Sequence, residues 1–203
     1  QGKSYLLKLL LTNLRESGMH ICALDPEMEY EDLTNNLGGC FIDLMSGDYI
    51  INPLEPKTWD DAGSPEDLDA PQTFRIRSRL SQHISFLKDF FRSYKDFTDR
   101  EIDVIEIMLQ KLYARWGLTD QSDFDRLDSG DYPILSDLYA FIEEEYRAFD
   151  AKNYPLYTAE MLQSILLGLN SMCVGAESKF FNGHTNIHSQ KVVTFGVKDL
   201  LQA

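Results

Sequence analysis

Gln1-Gly2-Lys3-Ser4-Tyr5-Leu6-Leu7-Lys8-Leu9-Leu10-Leu11-Thr12-Asn13-Leu14 opens the chain, and the reading of this stretch decides the fold. Leucines recur through residues 5–14 with no proline or glycine until Gly18, so the sequence predicts a helix opening at Lys3 or Ser4 and closing at Gly18. His20-Ile21-Cys22-Ala23-Leu24 follows, a short apolar run stopped by Asp25-Pro26, where proline forbids further ladder donation. It reads as a buried strand with its polar end at the carboxyl edge. Tyr30 to Leu37 reads as a short helix ended by Gly38-Gly39, and Cys40-Phe41-Ile42-Asp43-Leu44 as a second strand. Tyr49-Ile50-Ile51, ahead of Asn52-Pro53, reads as a third, short one. Helix, strand, helix, strand is the rhythm of an α/β sheet.

Gly2-Lys3-Ser4 at the mouth of a helix is the strongest chemical signal in the chain. In a phosphate-binding loop, glycine lets the backbone curl so that successive N–H groups point at phosphate oxygens. Lysine supplies a point charge to the β and γ groups, the serine hydroxyl ligates Mg²⁺, and the helix N-terminus adds its partial positive charge. The complete pattern is G-x-x-x-x-G-K-[ST], whose first glycine and feeding strand would precede Gln1. The plain alternative is an ordinary helix cap. Asp25-Pro26-Glu27-Met28-Glu29-Tyr30 sits at the end of the predicted strand, where ligands gather in open α/β sheets. One of these carboxylates is suited to orient an attacking water or to hold the shell around Mg²⁺, with Glu27 favoured as nearest the strand end. Acidic groups at the start of the next helix would equally serve its dipole.

Glu55 to Gln72 is rich in Pro, Asp and Gly and reads as a linker; beyond it the periodicity changes. Ile76, Leu80, Ile84, Leu87, Phe91 and Tyr94 recur at helical spacing. Thr98-Asp99-Arg100-Glu101 is a capping box for a second helix striped by Ile102, Ile105, Met108, Leu109, Leu112 and Trp116. After a polar stretch, Leu118 to Pro133, a third helix carries Leu138, Phe141, Ile142 and Phe149. Thr158 can cap a fourth, bearing Met161, Leu162, Ile165, Leu166 and Leu169. The expected organisation is residues 1–72 as the first part of an α/β core, 73–172 as an all-helical insertion, and 173–203 as a return to the core, with Val192 to Val197 as a strand.

The 203 residues carry 33 acidic and 19 basic side chains, a net charge of −14. With a pI near 4.6, the surface is poorly suited to grip nucleic acid through its phosphates, which needs clustered Lys and Arg. With 43% hydrophobic and 26% charged residues the chain has a globular composition, which excludes disorder and a collagen-like fibre. No apolar run approaches the roughly 18 residues of a membrane span, and no signal-peptide pattern is expected. Cys22, Cys40 and Cys173 are too few and scattered for a disulfide framework or zinc site and read as buried thiols of a reducing compartment. His184 and His188 lie four apart in a turn-rich segment without a third ligand, which argues against a metal. Arg75, Arg77 and Arg79 read as a solvated face with stems packed on a helix. Phe90, Phe91, Tyr94, Phe97 and Trp116 read as core of the helical block rather than a base-stacking platform.

Several pieces occur together in one order: Gly2-Lys3-Ser4 with its helix, Asp25-Pro26-Glu27-x-Glu29-Tyr30, Gly38-Gly39, and Ile51-Asn52-Pro53-Leu54. Phe181-Asn182-Gly183-His184-Thr185-Asn186 and the Val192–Val197 strand with Lys198-Asp199-Leu200 complete it. In this the chain resembles conjugative-transfer and type IV secretion ATPases of the VirB-four and TraE type, related to the HerA and FtsK motor proteins. The resemblance spans almost the whole chain and is weakest in the helical insertion. It implies a RecA-like P-loop NTPase sheet with an all-helical inserted subdomain, and ATP and Mg²⁺ as cofactors. In the resemblance Gly2, Lys3 and Ser4 match the phosphate loop and the Asp25–Tyr30 segment the strand-end motif; together with the reading of the residues above, Gly2, Lys3, Ser4 and Asp25 are expected at the nucleotide, Ser4 at the metal, and Lys3 and Glu27 in catalysis, with the choice among Asp25, Glu27 and Glu29 open. It also implies a hexamer-type ring in the parent protein, docked on inner-membrane secretion proteins at the cytoplasmic face of the membrane, with DNA contact unsupported by the acidic composition.

The family's Asp-Glu pair on a later strand and its arginine finger have no counterpart within these residues. The expectation is therefore a fragment that binds nucleotide poorly and does not hydrolyse it alone. Two other readings stay open: a small-molecule phosphotransferase with the helical block as lid, weakened by that block's acidity, and a non-enzymatic interaction module in which Gly2-Lys3-Ser4 is only a cap.

Overall fold

The computed structural model describes residues 5, 6, 8–10, 12, 13, 49–59, 78–153 and 155–186, and every regular element among them is helical. The expected strands His20–Leu24, Cys40–Leu44 and Val192–Val197 lie outside the described residues. Tyr49-Ile50-Ile51 does not form a strand. Its backbone instead pairs with a non-strand segment: Ile51 N–H donates to Phe180 O at 3.0 Å, and Asn186 N–H to Ile50 O at 3.1 Å. The partner is a helix end and loop, which cannot continue a regular ladder.

Among the described residues from 78 onward the helices are, in order, α1 Arg79–Lys95, α2 Asp99–Arg115, α3 Leu135–Arg147, α4 Ala159–Cys173 and the single turn α5 Ser178–Phe181. The starts are set by side chains that satisfy otherwise orphaned N–H groups. Ser78 accepts from Ser81 N ahead of α1, and Thr158 accepts from Met161 N ahead of α4. At α2 the expected capping box is complete, with Glu101 N donating to Thr98 Oγ1 at 3.2 Å and Thr98 N to Glu101 Oε1 at 3.0 Å. Helix α1 ends at Asp96, whose φ of 56° is left-handed, a conformation that Asp tolerates better than most residues.

Helix α2 is the centre of the bundle and packs against α1, α3 and α4, while α3 and α4 form the most extensive helix pair. It can do so because Ile102, Val104, Ile105, Met108, Leu109, Leu112 and Tyr113 are all buried, a stripe wide enough to face several neighbours. Trp116 is an exception to the expected stripe: it caps α2 and stays 37% exposed. Phe90, Phe91 and Phe97 are buried and Tyr94 packs on the same core, as the aromatic pattern predicts. The polar stretch 118–133 folds into two short 3₁₀ turns, Phe124–Arg126 and Ser129–Asp131, anchored by Phe124 and Tyr132.

Residues 5, 6, 8–10, 12 and 13 are helical, in agreement with the helix expected after Gly2-Lys3-Ser4. Leu6, Leu9 and Leu10 are buried in the same core cluster as Ile51, Leu54, Trp59 and the bundle. The first helix is thus joined to the helical block by shared apolar surface. No helix among the described residues is long and apolar enough to cross a membrane.

Candidate functional site

Gly2, Lys3, Ser4, Asp25 and Glu27, the residues expected to carry nucleotide chemistry, lie outside the described residues. What the structure does define is the ground on which the following helix stands. Tyr5 packs against Phe86 with ring centroids 6.3 Å apart, and the Lys8 ammonium lies 5.3 Å from the Trp59 ring centroid and 5.8 Å from that of Phe86. Trp59 and Phe86 stack at 3.9 Å and 19°. The first two turns after Ser4 therefore rest on an aromatic pair contributed by the 49–59 segment and α1.

That pair is fixed by His83, which is wholly buried on α1. Its Nδ1 accepts from Trp59 Nε1–H at 2.9 Å and from Lys57 N–H at 3.3 Å, so Nε2 carries the proton and donates to Pro53 O at 2.7 Å. Burial pushes the imidazole down to about 3, with the Lys57 charge adding to the effect and the Pro53 bond opposing it. A neutral ring with both nitrogens committed is a structural bridge, not a general base. Lys57 and Glu55 beside it form a buried ion pair at 2.8 Å.

The two sequence motifs Ile51-Asn52-Pro53-Leu54 and Phe181-Asn182-Gly183-His184-Thr185-Asn186 are brought together here. Asn52 is fully buried; its Nδ2 donates to Pro133 O at 2.9 Å and its Oδ1 accepts from Leu54 N at 3.0 Å. Asn52 N–H donates to Thr185 Oγ1 at 2.9 Å, and Ile50 N–H to Asn186 Oδ1 at 2.7 Å. Tyr113 of α2 donates its hydroxyl to Leu54 O. Asn182 serves two helix ends at once: its Oδ1 accepts from Ser136 N–H in the first turn of α3 at 2.9 Å, and its Nδ2 donates to Cys173 O, the last residue of α4, at 3.0 Å. Gly183 lies close to Ile50: a Cβ there would be 3.0 Å from Ile50 Cδ1, so the end of that side chain would have to give way.

An open cleft of about 560 Å³ borders this seam, lined among others by Glu55, Lys57, Arg79, Phe124, Tyr132 and His184. The Arg79 guanidinium lies over the Phe124 ring at 5.2 Å and 3.8 Å from Asp125 Oδ1, so its head is engaged and not simply solvated as expected; Arg75 and Arg77 lie outside the described residues. His184 Nδ1 is 3.0 Å from Ser129 O, and His188 is not described. Cys173 is buried, and burial pushes its thiol up to about 12, so it is unreactive. Among the described residues no group of His, Cys, Asp or Glu could hold a metal ion.

Its backbone is similar to that of VirB4. The solved structure of VirB4 from Thermoanaerobacter pseudethanolicus matches all of this chain and 48% of that one, with a TM-score of 0.57 and 27% identity. An uncharacterized protein of Bacillus anthracis, pXO2-09, is 27% identical over 97% of this chain. The chain spans about half the length of the VirB4 structure and 31% of the Bacillus protein. No family model matches it.

His83, Trp59 and Tyr113 were not among the residues expected at a site. His83 does leave a trace in the sequence, since it lies three residues from Leu80 and four from Leu87 on the apolar face of α1. Its partners, 24 to 30 residues away, leave none.

Proposed function

We propose that the chain is part of a P-loop ATPase of the VirB-four type that energises conjugative DNA transfer or type IV secretion. In this reading Gly2, Lys3 and Ser4 hold the phosphates, Lys3 neutralises the β and γ groups, and Ser4 ligates Mg²⁺. Asp25 contributes to the nucleotide site, and Glu27 orients the attacking water. Bound ATP and Mg²⁺ supply the phosphoryl group and the charge neutralisation; the chain supplies backbone N–H groups at a helix start and a rigid base beneath them. The residues fit that task, because a helix is under way by Tyr5 and is buried through Leu6, Leu9 and Leu10, as a phosphate-cradling helix must be held. Residues 73–172 form the inserted helical subdomain between two parts of the motor core. The parent protein assembles into a hexamer-type ring at the cytoplasmic face of the membrane with secretion-complex proteins, and the chain alone is inactive.

The observation that carries this reading is the likeness to VirB4 along the whole chain at 27% identity. The test is ATP hydrolysis by the parent protein, wild type against Lys3→Ala, with binding of a fluorescent ATP analogue followed in parallel. Hydrolysis is expected to fall by at least about a hundredfold in the variant, the scale of losing one preorganised electrostatic contact. Equal hydrolysis by both proteins would reduce Gly2-Lys3-Ser4 to a helix start and favour the interaction-module reading.

A further inference from the structure

The helix behind Gly2-Lys3-Ser4 meets the helical block at one chemically distinctive place. Lys8, exposed and four residues after Ser4, holds its ammonium over the Trp59 and Phe86 rings, and Tyr5 packs on Phe86. Trp59 itself is 7% exposed and cannot drift with Lys8, because its indole N–H is bound to His83 and its face is stacked on Phe86. An exposed cation therefore sits above a ring that is fixed to α1. A cation–ring attraction falls steeply with distance, so any shift of the first helix relative to α1 changes it.

Resting on the phosphate-loop reading above, we propose that the Lys8–Trp59–Phe86 contact is the coupling point through which nucleotide occupancy at Gly2–Ser4 reaches the helical block. Loading the loop repositions the first turn of its helix, Lys8 moves against the fixed indole, and α1 receives the displacement through Phe86 and His83. The linkage is reciprocal: whatever holds the block in one position biases the loop toward the nucleotide state that matches it. Lys8, Trp59 and Phe86 are positioning residues, since none is placed at the phosphates.

The test uses the full parent protein with Mg²⁺ and a non-hydrolysable ATP analogue, reading tryptophan fluorescence alongside binding of a fluorescent nucleotide. Trp59→Phe keeps an aromatic ring in the stack, and Lys8→Met changes an exposed side chain while retaining its length, so both are expected to fold. The expected result is an analogue-induced fluorescence change in wild type that disappears in Trp59→Phe and is at least halved in Lys8→Met, while the analogue still binds both variants. Analogue binding without a Trp59-dependent change, or the same change in Lys8→Met, overturns the coupling and leaves the phosphate-loop assignment standing. Absence of nucleotide binding in the wild type overturns both together.

Discussion

The centre of the bundle is fully buried and wholly apolar, whereas the seam between residues 49–59 and 180–186 is only partly buried and mixes apolar with polar contacts. At the centre, Ile105, Met108, Leu109 and Leu112 of α2 meet Leu138 and Ile142 of α3 and Leu162, Ile165 and Leu169 of α4 in an entirely apolar core, all of them fully buried. At the seam Ile51, Leu54 and Phe181 are buried beside the polar Asn52, Glu55, Lys57 and Thr185, and what adds to the apolar contact is a set of long-range hydrogen bonds, from Asn52 to Thr185 and Pro133 and from Ile50 to Asn186, between residues 81 to 136 positions apart. An apolar contact loses energy in proportion to the area removed, whereas a buried hydrogen bond that loses one partner leaves the other unsatisfied. The first kind of region yields gradually to substitution and the second abruptly.

The largest effect should come from the centre. Ile105→Ala removes a fully buried side chain from the hub helix and is expected to cost about 2–5 kcal/mol, read as a lowered urea midpoint with an unchanged slope. Ile105→Val should cost no more than about 1.5 kcal/mol, because most of the apolar contact survives. The seam should show no such gradation. Asn52→Ala strips the Pro133 carbonyl and the Leu54 N–H of their partners inside the protein, for an expected loss of about 2–4 kcal/mol. Asn52→Asp, nearly isosteric, should be no better, since it keeps the acceptor for Leu54 but replaces the donor to Pro133 with a buried charge. If that variant retains wild-type stability in urea at neutral pH, the account of the seam fails.

The same contrast explains what could be read from the sequence. Helical spacing at Leu80, Ile84 and Leu87, the Thr98–Glu101 box and the Thr158 cap are local patterns, and the structure contains them. Trp116 was misplaced because the spacing rule extends a stripe without knowing that Gly117, at φ 75°, ends the helix just beyond it. Tyr49-Ile50-Ile51 has strand chemistry, yet its neighbour is the α5 end and loop, a partner no local pattern names. The motifs at 51–54 and 181–186 were recognisable as separate pieces, but their contact depends on Asn52, Thr185 and Asn186 meeting across the whole bundle. For Gly2, Lys3, Ser4, Asp25 and Glu27 the sequence remains the only source of the assignment.

His83 gives the seam a pH dependence that the apolar centre lacks. The unfolded chain takes up a proton near the usual histidine value of 6.5, and the folded seam refuses it until about 3. The stabilisation from the neutral bridge is therefore complete above about pH 6.5 and is lost as the pH falls toward 3, by at most about 1.4 kcal/mol per unit. Carboxylates contribute their own acid sensitivity, so the measurement is a difference. Urea midpoints from about pH 7 to about pH 5 should fall more steeply in wild type than in His83→Gln, which can still donate to Pro53 but cannot titrate. Parallel curves would remove His83 from the account.

The smallest expected effect is also the one whose sign separates local from tertiary reasoning. Gly168 lies in the middle of α4, where replacing glycine by alanine should stabilise a helix by about 1 kcal/mol. A Cβ at that position, however, would lie 2.4 Å from Cε1 and 2.6 Å from Cζ of Phe97, so the buried ring must move to admit it. Displacing a packed aromatic costs about 1–3 kcal/mol, enough to reverse the helical gain and leave Gly168→Ala a net loss near 1 kcal/mol. Phe97→Leu would shorten the obstructing side chain and weaken the core on its own. In that background Gly168→Ala should become neutral or stabilising, a coupling of about 1–2 kcal/mol between residues 71 positions apart. A stabilising Gly168→Ala in the wild-type background would mean that the ring yields freely and that α4 is governed there by its own propensity rather than by the packing of Phe97.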